Sequence, residues 1–389
     1  MNARGFLVAL LLANVFALHA QSSATPPTPA VWQMQDSGTA ASLRGIVSVD
    51  GLMAWASGTG GTVLRTLDGG QHWQKCAVPD ADKDGATLDF RGVQAWDADT
   101  AIVMASGPGY KSRLYKTTDG CRTWKLLFTN PDRDGFFDCF RILREQRTLK
   151  EDEGFGLLMG DAVEGELAVF ETRNGGATWA KLHNALLQTK GSAFAASNSC
   201  IVDMNATNDF VLSNDVGALK IRLNYAGSYW LNDGSPLTRS WSTTPLPIAS
   251  GTPSKGPFAI SGHVRITYAA DGVTVVDLKL LQIAVGGDYT KPNEPSGTAA
   301  YTLDGGLHWT ASEKPPHGYR STVQWSEVEK LWITAGTNGS DSSSDDGRTW
   351  HALDGGNWNA LSLPFIVGPK GRIARIDTKS LRRQAGPTR

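Results

Sequence analysis

An eight-residue stretch that combines several chemically active side chains occurs twice in this chain. Residues 66–73 read TLDGGQHW and residues 302–309 read TLDGGLHW. Each copy supplies a carboxylate, a glycine turn, an imidazole and an indole, and these groups could bind a ligand or take part in catalysis. The same residues would also suit a structural turn that recurs once in each building block of a repeat protein. The number of copies decides between the two interpretations.

Five copies are present, and their number favours a structural role. All follow the pattern Ser/Thr-x-Asp/Asn-x-Gly-x-x-Trp, except that Cys121 replaces the glycine in one copy. The acidic or amide side chain can accept backbone hydrogen bonds within its own turn, and glycine tolerates positive φ there. A catalytic centre would not need five copies. We therefore assign roles within turns to Asp68, Asp119, Asn174, Asp304 and Asp345, and also to His72 and His308.

A second repeated feature divides the chain into seven units. A short strand start recurs at residues 43–46 (LRGI), 90–93 (FRGV), 140–143 (FRIL), 194–197 (FAAS), 258–261 (FAIS), 319–322 (YRST) and 358–361 (WNAL). Each unit reads as four short strands joined by hairpins, so the sequence predicts an all-β, seven-bladed β-propeller. The last unit lacks an outer strand, and residues 30–35 (AVWQMQ) resemble one. We expect this N-terminal strand to complete blade seven and close the ring.

The two ends of the chain differ from its middle in composition. An apolar run follows Arg4 and stops at Ala20 before a polar stretch, a pattern typical of a secretory signal peptide. We predict a periplasmic or secreted protein, since the four cysteines also suit an oxidising compartment. A retained anchor helix is the alternative for the apolar run. The predicted segments are a signal peptide over 1–20, a disordered Pro/Ser/Thr segment over 21–29, a propeller over 30–378 and a tail over 379–389.

Composition and motifs narrow the class of partner. The formal net charge is −1, so no overall field favours nucleic acid or an anionic membrane. No Cys or His cluster has the spacing of a zinc site, and no phosphate loop or dinucleotide fingerprint appears. No segment after the N-terminal run has the length of a membrane span. We expect a monomer without metal or cofactor that binds a protein partner or an acidic ligand.

The repeated motif resembles the Asp-box (BNR) repeat of sialidases, sortilin-type receptors and other propellers. The complete unit of blade one, with LRGI (43–46), WASGTGGTVLRT (55–66) and TLDGGQHW (66–73), is similar to the repeat of the photosystem II stability/assembly factor family. The resemblance extends over residues 30–377. It implies a cofactor-free, exported, seven-bladed scaffold that assists the assembly of membrane protein complexes.

Arginines near the strand starts form the main candidate binding site. In a propeller the first strand of each blade lines the central channel and begins at one rim. Four strand starts carry an arginine at their second position, and two carboxylates follow glycine-ended second strands that reach the same rim. These residues are Arg44, Arg91, Arg141, Arg320, Asp161 and Asp288. The guanidinium groups could together bind a C-terminus, an acidic peptide or an acidic sugar, or each could pair with a carboxylate of a neighbouring blade.

A sialidase-like glycoside hydrolase is the alternative function. FRIL resembles the Phe-Arg-Ile-Pro motif of sialidases, whose arginine grips the carboxylate of sialic acid, and this resemblance points to Arg141. Glycoside hydrolysis also needs two carboxyl-type groups beside one bond, and Asp161 and Asp288 are the candidates on the expected face. The proline of that motif is absent here, and no tyrosine nucleophile with a glutamate partner can be assigned. The sequence therefore favours a non-catalytic scaffold.

The strand starts also predict the pairing of the cysteines. Cys76 follows the motif of blade one and Cys121 lies in the turn of blade two, so a bridge between these neighbouring blades is plausible. Cys139 and Cys200 are offset along their predicted strands by a distance of roughly 20 Å, at about 3.3 Å per residue, which no disulfide can span. We therefore predict at most one bridge, between Cys76 and Cys121.

Blade four departs most from the repeat pattern. Its outer turn is enlarged, and exposed aromatic residues on a long loop can form a binding surface. They can equally pack on one another. The residues concerned are Tyr225, Tyr229 and Trp230.

Overall fold

Seven four-stranded antiparallel sheets form the blades of a propeller, as predicted from the sequence. The computed structural model describes residues 30–143, 154–204, 207–226 and 238–385. In each sheet the strands follow one another in sequence order, so every blade is a series of hairpins, apart from the blade that the N-terminal strand completes. The predicted signal peptide over 1–20 and the segment over 21–29 lie outside the described residues.

The strands of the first three blades are evenly distributed along the chain. The first strand of the chain, β1 (Trp32–Gln35), belongs to blade seven. Blade one consists of β2 (Leu43–Ser48), β3 (Ala54–Gly58), β4 (Val63–Thr66) and β5 (Gln74–Lys75). Blade two consists of β6 (Phe90–Ala95), β7 (Ala101–Ala105), β8 (Arg113–Thr117) and β9 (Lys125–Thr129). Blade three consists of β10 (Phe137–Leu143), β11 (Phe155–Val163), β12 (Glu166–Thr172) and β13 (Ala180–Leu182).

The remaining blades follow the same plan. Blade four consists of β14 (Ile201–Asp203), β15 (Thr207–Ser213), β16 (Ala218–Ala226) and β17 (Thr238–Pro245). Blade five consists of β18 (Lys255–Tyr268), β19 (Val275–Asp288), β20 (Ala299–Thr302) and β21 (Thr310–Ala311). Blade six consists of β22 (Thr322–Ser326), β23 (Leu331–Gly336), β24 (Gly339–Ser343) and β25 (His351–Asp354). Blade seven consists of β26 (Ala360–Ser362), β27 (Phe365–Val367), β28 (Ile373–Ile376) and the N-terminal β1.

Strand β1 closes the ring, and this prediction from the sequence is confirmed. It pairs antiparallel with β28, with Trp32 opposite Ile376. The Trp32 indole is buried against Trp358, with ring centroids 6.1 Å apart, and its Nε1 donates to Ser340 Oγ at 2.9 Å. The first and last strands of the propeller therefore pair in one sheet, in which β1 is the outer strand and β28 is covered on both sides.

A short helix follows blade seven where the sequence predicted only a tail. Helix α1 (Thr378–Ala385) buries Leu381 completely, and Arg382 Nε donates to Glu329 of blade six at 2.8 Å. The first part of the predicted tail is therefore packed against the propeller, while residues 386–389 lie outside the described residues. Among the residues that the structure describes, no helix has the length and apolar character needed to cross a membrane.

The five repeated motifs form the turns between the third and fourth strands of their blades. In blade one, Thr66 Oγ1 donates to Asp68 Oδ1 at 2.8 Å and accepts the Gly70 N–H at 2.9 Å, and the His72 N–H donates to Asp68 Oδ1 at 3.0 Å. Gly70 has a φ of +86°, a conformation that costs a residue with a Cβ. The other four turns repeat these hydrogen bonds. These hydrogen bonds of the Asp and Asn side chains lie within their own turns, as a structural role requires.

Two disulfides join neighbouring blades. Cys76 and Cys121 link blade one to blade two, with Cα atoms 5.3 Å apart, and this is the pair that the sequence favoured. Cys139 and Cys200 link blade three to blade four, with Cα atoms 6.1 Å apart. The prediction that these two cysteines are not joined is therefore wrong.

The error lies in the strand starts that were assigned to blades three and four. Strand β10 begins at Phe137, before FRIL, and β14 begins only at Ile201, after FAAS. Cys200 therefore precedes its strand directly and does not lie six residues along it. This places both cysteines near the same end of adjacent inner strands, where a disulfide can form.

Candidate binding site at the channel rim

A cavity of about 460 Å³ opens at the rim where the inner strands of the blades begin. Its wall contains residues from all seven blades. Each blade contributes at least one lining residue. In ring order these include Arg44, Arg91, Asp138, Ala195, Phe258, Ser321 and Asn359.

A β-bulge places several of these side chains at the cavity. In blade one, Leu43 pairs with Gly58 and Gly45 pairs with Ser57, so Arg44 between them has no partner on the next strand. The same irregularity leaves Arg91, Asp138 and Phe258 unpaired in blades two, three and five. In blades six and seven the corresponding residues are Ser321 and Asn359, each directly before the first paired residue of its inner strand. We call Arg44, Arg91, Asp138, Phe258, Ser321 and Asn359 the rim positions.

The two arginines of the rim positions share one carboxylate. Arg91 Nε donates to Asp89 Oδ2 at 2.8 Å, and Arg44 Nε lies 3.9 Å from Asp89 Oδ1. Arg91 Nη1 also donates to the Ala195 carbonyl at 3.3 Å. Arg44 Nε and Asp89 Oδ1 are both buried without a hydrogen-bond partner among the described residues. The pair therefore keeps donor capacity for an anion in the cavity.

Two carboxyl groups form the next part of the wall. Asp138 is 2% exposed, and its Oδ2 has no hydrogen-bond partner among the described residues. Burial, followed by the nearby Asp161 carboxylate, raises the pKa of Asp138 well above its usual range, although the Arg91 charge opposes this. Burial raises the pKa of Asp161 to about 6. Two interacting carboxyl groups in such a place are stable when they share a proton.

The opposite side of the cavity is aromatic. Phe194 and Phe258 stack with ring centroids 3.8 Å apart, and Tyr319 meets Phe258 edge-on at 4.8 Å. Tyr289 makes a further edge contact with Phe258 at 6.2 Å. Burial raises the pKa of Tyr319, so its phenol stays neutral at physiological pH. The wall of the cavity thus has a cationic part, an acidic part and an apolar part.

The structure separates the four arginines that the sequence placed on one arc. Only Arg44 and Arg91 line the rim cavity. Arg141 lies further along its strand and lines a second cavity of about 570 Å³ in the channel. Arg320 is completely buried, and its Nε donates to Asp341 Oδ2 at 2.7 Å. The expectation of a shared arc is wrong because FRIL and YRST do not begin at the same strand position as LRGI and FRGV.

The carboxylates predicted beside the arginines also separate. Asp161 lines the rim cavity, whereas Asp288 is not among its lining residues and is 6% exposed. Asp288 accepts hydrogen bonds from the hydroxyl and N–H of Thr290 at 2.6 and 3.0 Å. The sialidase-like interpretation needs Arg141 next to Asp161 and Asp288, and these residues do not share a cavity. No group of three His, Cys, Asp or Glu residues within the described ranges could hold a metal ion.

Asp138 and Asp89 were not identified from the sequence as residues of the site, although the sequence contains a signal for Asp138. Asp138 follows Phe137 just as Arg44 follows Leu43 and Arg91 follows Phe90. The arginine of FRIL lies three residues further along the same strand. Asp89, which precedes its strand, has no counterpart that a sequence pattern could reveal.

The first of the three aromatic residues predicted for the enlarged turn of blade four is not part of an exposed surface. Tyr225 is buried, and its hydroxyl donates to Glu171 Oε2 at 2.8 Å. It therefore packs inside the molecule. Tyr229 and Trp230 lie outside the described residues.

Comparison with known proteins finds similarity in both sequence and structure. The chain is similar to a photosystem II assembly protein. It is 21% identical over 246 residues to the photosystem II assembly lipoprotein Ycf48 of Synechococcus sp. (strain CC9902), over 57% of this chain and 67% of that protein. No family model matches the chain.

Solved structures of Ycf48 proteins have the same fold. YCF48 from Cyanidioschyzon merolae matches with a TM-score of 0.55 and 19% identity, over 90% of this chain and 100% of that one. A structure of YCF48 bound to D1 peptide matches with a TM-score of 0.55 and 16% identity, over 90% and 97% of the two chains. At these identities the match establishes the seven-bladed propeller fold.

Proposed function

We propose that this protein is a non-catalytic scaffold that binds a peptide segment of a protein partner at the rim cavity. Arg44 and Arg91 would contact an acidic side chain or the C-terminal carboxylate of that peptide. The observation that carries this proposal is the pair of guanidinium groups beside an aromatic wall in one cavity. Planar guanidinium groups bind carboxylates through two parallel hydrogen bonds, and aromatic walls bury apolar side chains of a peptide.

The comparisons support a peptide as the ligand. A solved propeller with the same fold is YCF48 bound to D1 peptide, and the sequence relative is a photosystem II assembly lipoprotein. We therefore propose a role in the assembly of a protein complex, with a membrane complex as the partner. The repeated turns would place the chain among the Asp-box (BNR) propellers of the photosystem II stability/assembly factor family.

We further propose that the chain acts in the periplasm or outside the cell as a monomer, after removal of a signal peptide. Two disulfides between neighbouring blades support an oxidising compartment. The apolar run before Ala20 supports export. The glycoside hydrolase remains the weaker alternative because Arg141 and Asp161 line different cavities.

A peptide-binding measurement tests this function. The probes are two fluorescein-labelled hexapeptides, one with two glutamates and a free C-terminus and one with glutamines in their place and an amidated C-terminus. We expect the acidic peptide to bind more tightly by fluorescence anisotropy. The Arg44→Gln/Arg91→Gln variant should weaken its binding by at least about tenfold, since a single hydrogen bond to a charged group contributes about 1.5–3 kcal/mol.

Arg133→Gln is the matched control, because Arg133 is exposed near the same rim and does not line the cavity. It should leave binding unchanged. Equal binding of the two peptides by the wild-type protein, or an unchanged affinity in the double variant, would contradict the proposal.

A further inference from the structure

We infer that the rim cavity contains a second subsite, formed by Asp138 and Asp161, that binds an ammonium or guanidinium group of the same ligand. This inference rests on the proposed function and specifies its ligand. The bound peptide would carry a lysine or arginine side chain close to its acidic group.

The backbone places this acidic subsite next to the arginines. Asp138 takes the rim position of blade three, directly after Arg91 in ring order, and the bulge removes it from strand pairing. Asp161 joins it from the end of β11, where its N–H donates to the Phe136 carbonyl at 3.0 Å. Both carboxyl groups line the same cavity as Arg44 and Arg91. A ligand in the cavity therefore meets positive and negative groups side by side.

The acidic subsite lacks a bonded cation of its own. Asp138 Oδ2 is buried and has no donor among the described residues. Arg91 Nε is occupied by Asp89, and Arg44 Nε also lies nearest to that carboxylate. A buried carboxylate with an unbonded oxygen and no paired cation is costly, so in the free protein the two aspartates reduce their charge by sharing a proton. A cation of the ligand would replace that proton.

Other groups that face the pair do not compensate its charge. Arg91 attracts Asp138 but is bonded to Asp89, and the Ala193 backbone supplies a dipole without a formal charge. The Tyr319 phenol on the opposite wall stays neutral, because burial raises its pKa. The negative charge of the pair thus depends mainly on its own protonation.

Because the charge of the pair depends on its protonation, a rise in pH should change the affinity for cationic ligands and the affinity for acidic ligands in opposite directions. As the pH rises through about 6, Asp161 loses its proton and the subsite becomes more negative. A cationic ligand group should then bind more tightly, whereas a purely acidic ligand should bind more weakly.

The experiment compares two labelled hexapeptides that differ at one residue. Both contain two glutamates and a free C-terminus, and one has lysine where the other has glutamine. At pH 7.5 the wild-type protein should bind the lysine peptide about tenfold more tightly, as expected for one hydrogen bond to a charged group. Between pH 5 and 8, binding of the lysine peptide should strengthen and binding of the glutamine peptide should weaken.

Two variants separate the subsite from the rest of the cavity. Asp138→Asn should abolish the preference for lysine while the glutamine peptide still binds, and Asp161→Asn should remove the opposite pH trends. Asp134→Asn, which changes an exposed carboxylate of the same region, is the control and should behave like the wild type. Thermal melting establishes that each variant is folded.

The outcomes distinguish this inference from the proposed function. If neither peptide binds at any pH, the proposed function fails. If both bind equally at pH 7.5, or the lysine peptide binds more weakly, the cationic subsite is refuted while peptide binding stands. A preference for lysine that persists in Asp138→Asn also refutes it.

Discussion

Arginines with similar sequence surroundings have three different roles in this molecule. Arg44 and Arg91 share Asp89 at the rim cavity, Arg141 lines the channel, and Arg320 is buried in blade six. Arg320 differs from Arg44 by one position, because Thr322 pairs with Ala335 just as Gly45 pairs with Ser57. A shift of one residue thus converts a potential ligand contact into a structural ion pair.

Replacing the buried arginine should be strongly destabilising. Arg320→Met leaves the Asp341 carboxylate, which is 1% exposed, without its buried guanidinium partner, although His317 remains bonded to it. We expect a loss of about 3–5 kcal/mol in the free energy of unfolding, as for other broken buried ion pairs. Urea unfolding followed by tryptophan fluorescence measures it.

Arg44→Gln is the comparison, since Arg44 is partly exposed and its ion pair with Asp89 is long, at 3.9 Å. Its effect should stay below about 1 kcal/mol. If Arg320→Met were as mild as Arg44→Gln, the structural role assigned to Arg320 would be wrong.

At the scale of elements, two disulfides join neighbouring blades, and the positions of the strand starts determine which cysteines can pair. The outer turn of blade two is bonded to blade one through Cys121 and Cys76, and the inner strands of blades three and four are joined through Cys139 and Cys200. The second bond links β10, which carries Asp138, to the residue directly before β14. It therefore also stabilises one wall of the rim cavity.

Both disulfides should contribute to stability by similar amounts. Their cysteines are 45 and 61 residues apart in sequence. For loops of these lengths the chain-entropy model predicts about 4 kcal/mol from each. Cys76→Ser/Cys121→Ser and Cys139→Ser/Cys200→Ser should each lower the melting temperature, measured by circular dichroism.

Reduction of the wild-type protein with dithiothreitol provides an independent check on these variants. It should lower the melting temperature by more than either double substitution alone. If Cys139→Ser/Cys200→Ser melted like the wild type, the second disulfide would be absent or without effect.

At the scale of the whole molecule, one short strand holds the ring together. Strand β1 has four residues, yet it supplies the outer edge of blade seven and a buried tryptophan. Without it, β28 would become an open edge and the hydrophobic contact with Trp358 would be lost.

Deleting residues 30–36 should therefore lower the stability of the entire propeller and not only of blade seven. We expect a lower melting temperature and a broader transition in calorimetry, because the ring no longer closes. Trp32→Ala is the milder variant and should cost about 3–5 kcal/mol, as for other buried large aromatic residues. An unchanged melting curve after the deletion would contradict closure by β1.

The sequence by itself determined the architecture of this protein. The motif with Asp68 and its four counterparts recurs once per blade, since each outer hairpin needs the same turn. The resemblance of residues 30–35 to an outer strand was enough to predict how the ring closes. These features are local and repeated, so they can be read from the order of residues.

Only the tertiary structure decided which side chains share the rim cavity. A β-bulge in the inner strands of blades one, two, three and five sets which residue faces the cavity. In blade three the bulge leaves Asp138 unpaired at the cavity, whereas in blade six the inner strand pairs without a bulge from Thr322 and Ser321 takes the place that Arg320 was expected to fill. The reason is geometric: a shift of one residue along a strand turns a side chain to the opposite face.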